Sequence, residues 1–119
     1  MTLYMMMIFA PTDPSAADAE GTNIDRWIAF DTMLKDSGVH VADHRLHEPG
    51  TATTVRVRDG EALVTGGPVA GAGEYLTGYY VLEAAALEDV VKLAADVPLI
   101  HYGSVEIRPV MSGSPPKAG

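Results

Sequence analysis

The stretch HVADHRLHEP, residues 40–49, holds the densest group of side chains that could bind a metal ion or transfer protons. His40, His44 and His47 stand beside Asp43 and Glu48, and imidazole nitrogens and carboxylate oxygens are common zinc ligands. On a regular strand, His40 and His44 share one face about 13 Å apart, whereas His47 points to the other face. The three imidazoles therefore do not converge, and we expect no metal site in this cluster.

A second set of residues could support acid/base chemistry. His101 precedes the last predicted strand, and Tyr79 and Tyr80 point to opposite faces of the strand before it. An imidazole could exchange protons with a carboxylate such as Glu74. The candidate catalytic residues are thus His44 or His101 with Glu74 or Asp43, and the alternative is that they are only surface and interface residues.

The glycine-rich stretch GGPVAGAG, residues 66–73, resembles a nucleotide-binding loop at first sight. A Walker loop ends in Gly-Lys-Ser/Thr, and a dinucleotide fingerprint joins a strand to a helix. Neither context is present, so the stretch is interpreted as a flexible connection that lines a pocket. The predicted lining consists of Gly66, Gly67, Pro68 and Tyr79.

The composition limits the classes of function. With 119 residues, 47% of them hydrophobic, the chain fits one domain with a real core. A net charge of −8 argues against direct nucleic-acid binding, and the lack of cysteine excludes disulfides and thiolate metal sites. The apolar opening MTLYMMMIFAP carries no basic residue and is too short to cross a bilayer, so we expect a cytoplasmic protein that does not bind membranes.

The first half of the chain reads as strand, loop, helix and strand. The apolar run from Leu3 to Phe9 predicts a central strand covered on both faces, and the proline-bearing PTDPSAADAEGTN predicts a surface loop. A helix should begin after Thr22 or Asn23 and end at a left-handed Gly38. Its core face should carry a set of apolar side chains: Ile24, Trp27, Ile28, Met33 and Leu34. The stretch from 39 to 46 follows as a polar strand near a sheet edge.

The second half begins with a hairpin. Asp59-Gly60 is a favoured two-residue turn, and it places Arg58 opposite Glu61, Val57 opposite Ala62 and Val55 opposite Val64. Residues 77–83 predict another strand, and Leu87, Val90, Val91 and Ala94 predict a second amphipathic helix that ends before Pro98. Residues 101–110 predict a half-buried final strand. The tail from 111 to 119 should be disordered, because its stretch SGSPPKAG has no apolar content to anchor it.

This order is that of a ferredoxin-like α+β fold, a βαβ-βαβ sandwich with an extra hairpin, over residues 1–110. Two helices can cover only one face of the sheet. The other face, with Leu3 and Met5 on it together with Val55 and Val57, should therefore pack against a second copy of the chain.

Three stretches carry a resemblance to a known family: TATTVRVRDGEALVT, GGPVAGAGEYLTGYY and GSVEIRPV. They resemble the YCII-related proteins of the DGPF type, small bacterial proteins with a dimeric ferredoxin-like fold, also described as a dimeric α/β barrel. The family's Asp-Gly-Pro-Phe motif is degenerate here, because Gly66 and Val69 replace the Asp and the Phe while Gly67 and Pro68 are kept. Gly71 and Gly73 replace a Glu and a Lys of the motif, whereas Glu74, Gly78 and Tyr79 still match.

The resemblance implies an uncharacterised small-molecule-binding or accessory protein, with a link to a sigma-factor system. Some family members carry a His and Asp pair that has been proposed as catalytic, with the His on the first helix. The predicted first helix of this chain has no histidine, so that pair does not transfer. The alternative function is a cofactor-independent lyase or isomerase that uses a histidine and a carboxylate. We expect a homodimer, a small-molecule ligand and no cofactor.

Overall fold

The computed structural model describes residues 1–69 and 73–111, so the predicted disordered tail lies almost entirely outside the described residues. The helices and strands follow each other as β1 (Thr2–Pro11), α1 (Ala19–Thr22), α2 (Ile24–Asp36), β2 (His40–Arg45), β3 (Thr53–Arg58), β4 (Glu61–Gly66), β5 (Glu74–Ala84), α3 (Leu87–Ala94) and β6 (Ser104–Pro109). Among the described residues, no helix is long and apolar enough to cross a membrane.

The main sheet has four antiparallel strands in the order β2-β5-β1-β6. Helices α2 and α3 each connect two of these strands, which is the ferredoxin-like arrangement that the sequence predicts. The prediction of this fold class is therefore confirmed. The prediction that β2 lies at an edge of the sheet is also confirmed.

Strand β1 occupies the centre of the sheet and shows why only one face is covered within the chain. Its side chains alternate strictly: Tyr4, Met6, Ile8 and Ala10 are buried against the helices. Leu3, Met5, Met7 and Phe9 point the other way and are half-buried. Within one chain the two helices cover one face of β1 and leave an open sheet face, so the expected cover of the second face stays a prediction.

Helix α2 begins and ends where local chemistry predicts. The Asn23 side chain accepts a hydrogen bond from the Asp25 amide at 2.9 Å and so caps the first turn. Gly38 follows the helix with a φ of +81°, a conformation that favours glycine. The segment before α2 contains more structure than the predicted loop, because residues Pro14–Ala16 form a 3-10 turn and α1 adds one helical turn.

The buried side of α2 differs from the predicted one. Phe30 and Leu34 reach the core, whereas Ile24 and Ile28 are 55% and 56% exposed. Trp27 and Met33 are half-buried and pack against the edge of the core. Ile24 and Ile28 therefore stay accessible, although periodicity predicts them on the core face.

Helix α3 and strand β6 complete the core. Val90 and Ala94 of α3 are buried together with Val97 and Leu99, which follow the helix. The helix ends at Ala94, and the predicted terminator Pro98 is buried in the turns that lead to β6. Strand β6 is half-buried, as its alternating sequence predicts, and pairs with β1 through residues 104–109.

The hairpin of β3 and β4 forms a separate two-stranded sheet. Asp59 and Gly60 both have positive φ angles, and the predicted register, including Arg58 opposite Glu61, is confirmed. Val55 and Val57 are 60% and 62% exposed on this hairpin and do not belong to the main sheet, so their predicted place on its open face is wrong. A radius of gyration of 16.4 Å, against about 13 Å for a compact chain of this size, fits a projecting hairpin.

Candidate functional site

A large cleft lies between α2, the α1 segment and the β2–β5 edge of the sheet. Its volume is about 870 Å³, within the range of small-molecule sites. Apolar and aromatic side chains form most of its wall, and Asp31, Asp43, Glu48 and Arg45 supply charge. The aromatic and aliphatic lining comprises Ile8, Ile24, Trp27, Ile28, Leu46, Tyr75, Tyr79, Tyr80, Leu99 and Tyr102.

The exposed isoleucines of α2 form part of the cleft wall. Ile24 and Ile28 follow the helical period and line the cleft rather than the core. Trp27 lies between them and donates its indole N–H to the Gly21 carbonyl at 2.7 Å. A Cβ at Gly21 would come within 2.3 Å of the Tyr102 ring, so only glycine lets Tyr102 pack against this turn. The hydrogen bond and this close contact fix the orientation of the Trp27 ring at the cleft.

A β-bulge in β2 brings His40 and Asp43 together. The register against β5 shifts between His40 and Ala42, so that His40 lies opposite Leu82 and Asp43 opposite Tyr80. Residues three apart on a regular strand point to opposite faces, whereas a bulge redirects the side chains that flank it. His40 Nε2 and Asp43 Oδ2 lie 2.5 Å apart, and the side chain of His40 is 16% exposed.

Tyr80 connects this pair to the core. Its ring packs edge-on against Phe30 at 5.5 Å and against His40 at 6.1 Å between centroids. Burial, followed by the negative charges of Asp31 and Asp43, raises the pKa of Tyr80 to about 12. Tyr80 therefore stays protonated at an alkaline pH at which an exposed tyrosine ionises.

Asp31 of α2 completes a group of three potential metal ligands. One ligand atom each from Asp31, His40 and Asp43 lies within 4.8 Å of the others. Asp31 also forms an ion pair with Lys35, one helical turn later, at 2.9 Å. The hydrogen bond and the charge of Asp31 raise the pKa of Lys35. Among the described residues, this group is the arrangement of carboxylates and imidazole that could hold a metal ion.

The structure separates the histidines that the sequence grouped together. His44 points to the open side of the sheet, where its Nδ1 is 2.9 Å from the Tyr79 hydroxyl, and both residues line the cleft at the β2–β5 edge. The prediction that His40 and His44 share a face is wrong, because the bulge between them reverses the alternation. His47 is exposed beyond the end of β2 beside Glu48. The predicted placement of Tyr79 and Tyr80 on opposite faces of β5 is confirmed.

The other predicted site residues lie apart. Glu74 accepts a hydrogen bond from Ser104 at 2.8 Å, and His101 is exposed in the turns before β6. Among the described residues, no hydrogen bond or ion pair joins His101 to a carboxylate. Of the four predicted pocket residues, Tyr79 lines the cleft, whereas the described lining does not include Gly66, Gly67 or Pro68.

Sequence reasoning missed the residues that converge at the cleft. His40 and Asp43 were both considered, but as separate members of a strand cluster, and Asp31 was not considered. The spacing of three between Asp43 and His40 carries no signal on a regular strand, and a bulge leaves no mark in this sequence. The exposed pair Ile24 and Ile28 offered a signal, because it lies on a different part of the helix surface from Phe30 and Leu34.

The fold and the cleft define a small ferredoxin-like α+β protein whose concave site lies between a helix and the edge of a sheet. The chain matches the YCII-related domain over residues 4–113 and belongs to that family. It is also similar to an uncharacterized protein of Rhizobium meliloti (strain 1021), with 35% identity over 68 residues, which are 56% of this chain. The match covers 55% of the length of that relative, so this chain spans about half of it.

Proposed function

We propose that this protein binds a small aromatic or carbonyl compound in the cleft and acts as an accessory or regulatory protein. One observation carries the proposal: Ile24, Trp27 and Ile28 stay accessible and line a volume of about 870 Å³. Exposed apolar side chains gain stability when a ligand covers them. A compact, largely apolar ligand accounts for a helix that directs its isoleucines into a cleft.

The charged residues of the cleft limit the kinds of ligand that can bind there. Asp31 and Asp43 repel anions and accept hydrogen bonds, and Arg45 donates them. A neutral compound with a hydroxyl or carbonyl group fits both kinds of partner without burying an unpaired charge. An ionised ligand would be repelled by the wall residues that carry a charge of its own sign.

Trp27 provides a direct reporter of binding, because it is the single tryptophan of the chain and lines the cleft. Compounds selected by thermal shift should change its fluorescence in a saturable way. Ile28→Ala should weaken this binding, whereas Val91→Ala, a matched aliphatic truncation on the exposed side of α3, should not. Equal effects of the two substitutions, or compounds that stabilise the protein without changing the Trp27 signal, would contradict binding in the cleft.

A second candidate function is a cofactor-independent lyase or isomerase, and the contact between His40 and Asp43 favours it. The imidazole and carboxylate are 2.5 Å apart, and Asp43 lines the cleft. Such a pair could remove a proton from a bound carbonyl compound and return it elsewhere on the molecule. If a cleft ligand is converted, His40→Gln should abolish turnover, while His101→Gln, in the exposed turns before β6 and outside the described lining of the cleft, should not. Full activity of His40→Gln would refute this function.

We also propose that the open sheet face pairs with a second copy of the chain. Met5, Met7 and Phe9 of β1 and Val81 of β5 form an apolar surface that stays half-buried in one chain. Separately from that surface, the hairpin exposes an apolar face of its own with Val55, Val57 and Val64, and an isolated hairpin gains stability when such a face is covered. The link to a sigma-factor system and the DGPF subtype, both implied by the family resemblance, stay predictions.

A further inference from the structure

We propose that Asp31, His40 and Asp43 form a binding site for one divalent transition-metal ion. The three ligand atoms lie within 4.8 Å of one another, a spacing that one ion can bridge with small side-chain movements. They come from two elements, the helix α2 and the edge strand β2. The expectation of no metal rested on the spacing of His40, His44 and His47, which is a different set of residues.

The fold directs these side chains to one point in two independent ways. The bulge after His40 turns that residue and Asp43 to the helix side of the sheet. Asp31 faces the same space from α2, in the turn next to the buried Phe30. His40 Nε2 and Asp43 Oδ2 already lie 2.5 Å apart, and a metal ion would replace the hydrogen bond between them.

The nature and number of the ligands indicate the kind of ion. Two carboxylates and one imidazole suit Zn²⁺ or Mn²⁺, whereas Ca²⁺ prefers a larger set of oxygens. Three protein ligands leave coordination positions open, as in metal sites that bind an exchangeable molecule. Asp31 and Asp43 both line the cleft, so the open positions would face it and would accept a ligand hydroxyl or carbonyl oxygen.

Lys35 is the competing partner at this site. Its ammonium group lies 2.9 Å from Asp31, but its side chain is 54% exposed and can turn into solvent. Exposed ion pairs of this spacing contribute little to stability, so an ion can displace the lysine at small cost. Removing the Lys35 ammonium group should therefore strengthen metal binding. No such effect is expected if Asp31, His40 and Asp43 only form structural hydrogen bonds.

The test is calorimetric titration of untagged, EDTA-treated protein with ZnCl₂ and with MnCl₂, without any organic ligand. We expect one ion per chain, with Zn²⁺ bound more tightly than Mn²⁺. His40→Gln and Asp43→Asn should each weaken binding by at least about tenfold, and Lys35→Met should strengthen it. His44→Ala combined with His47→Ala is the matched control and should leave the affinity unchanged.

Either of two titration results would overturn the site: no heat of binding up to millimolar ion, or binding that disappears in the His44 and His47 variant and persists in Asp43→Asn. Circular dichroism of each variant separates loss of a ligand from loss of the fold. Addition of MnCl₂ to ¹⁵N-labelled protein should first broaden the amide signals near Asp31, His40 and Asp43, and broadening elsewhere would equally contradict the site. The titration does not depend on the proposed cleft ligand, so failure of one proposal leaves the other standing.

Discussion

Truncation of two aliphatic residues on the same helix should show, by unequal losses of stability, which residue lies in the core and which lines the cleft. Leu34 is 0% exposed, whereas Ile28 is 56% exposed and lines the cleft. Sequence periodicity assigns both to the core, and the structure assigns them different roles. Leu34→Ala and Ile28→Ala remove groups of similar size from the same α2, so the helix provides its own control.

The expected loss in the free energy of unfolding depends on how deeply each side chain is buried. Leu34→Ala removes a fully buried side chain and leaves a cavity, which costs about 3 kcal/mol within a usual range of about 2–5 kcal/mol. Full burial of an aliphatic side chain contributes about 1.5–3 kcal/mol, and less than half of Ile28 is covered. Ile28→Ala should therefore lower the free energy of unfolding by only about 1 kcal/mol.

Urea unfolding followed by circular dichroism measures both losses at one protein concentration, because dimerisation would make apparent stability depend on concentration. The urea midpoint should fall much further for Leu34→Ala than for Ile28→Ala, with little change in the slope of the transition. Equal losses would show that Ile28 is as well covered as Leu34. In that case the accessible cleft wall, and the ligand proposal that rests on it, would be wrong.

Three further outcomes are expected. Light scattering at micromolar concentration should give twice the chain mass of 12.6 kDa. Met5→Asp on the open sheet face should shift the protein toward the mass of one chain, and a one-chain mass for the unaltered protein would refute the homodimer. Gly67→Ala should destabilise the folded protein by about 1–2 kcal/mol in urea unfolding, because the φ of Gly67 is +98°. Gly66→Ala should be nearly neutral, because nothing lies within 4 Å of its added Cβ. Equal effects of the two substitutions would contradict this difference in backbone conformation. Because burial raises the pKa of Tyr80 to about 12, the folded state holds a proton that the unfolded chain loses near 10.0, so stability should fall as the pH rises through this range. In thermal melts, Tyr80→Phe should lose less stability than the unaltered protein as the pH rises through this range. An equal loss in the two proteins would mean that other groups cause it.

Local chemistry in the sequence was sufficient for the turns, the caps and the order of the elements. Asp59-Gly60 specifies its turn because both residues tolerate positive φ, and Asn23 and Gly38 mark the ends of α2 through contacts within a few residues. Alternating apolar residues identify β6, and one long apolar run identifies β1 as central. The ferredoxin-like fold follows from this order, since each of these signals depends on neighbours along the chain.

The tertiary structure alone decided which residues meet. The bulge after His40 arises from the pairing of β2 with β5, and it joins His40 to Asp43 and separates it from His44. Asp31 reaches the same place because α2 packs across the sheet, 9 positions before His40 along the chain. The packing of α2 in the fold likewise determines that Leu34 is buried in the core and that Ile28 lines the cleft. Such choices depend on strand register and on packing between distant segments, and neither is encoded in the local periodicity of the sequence.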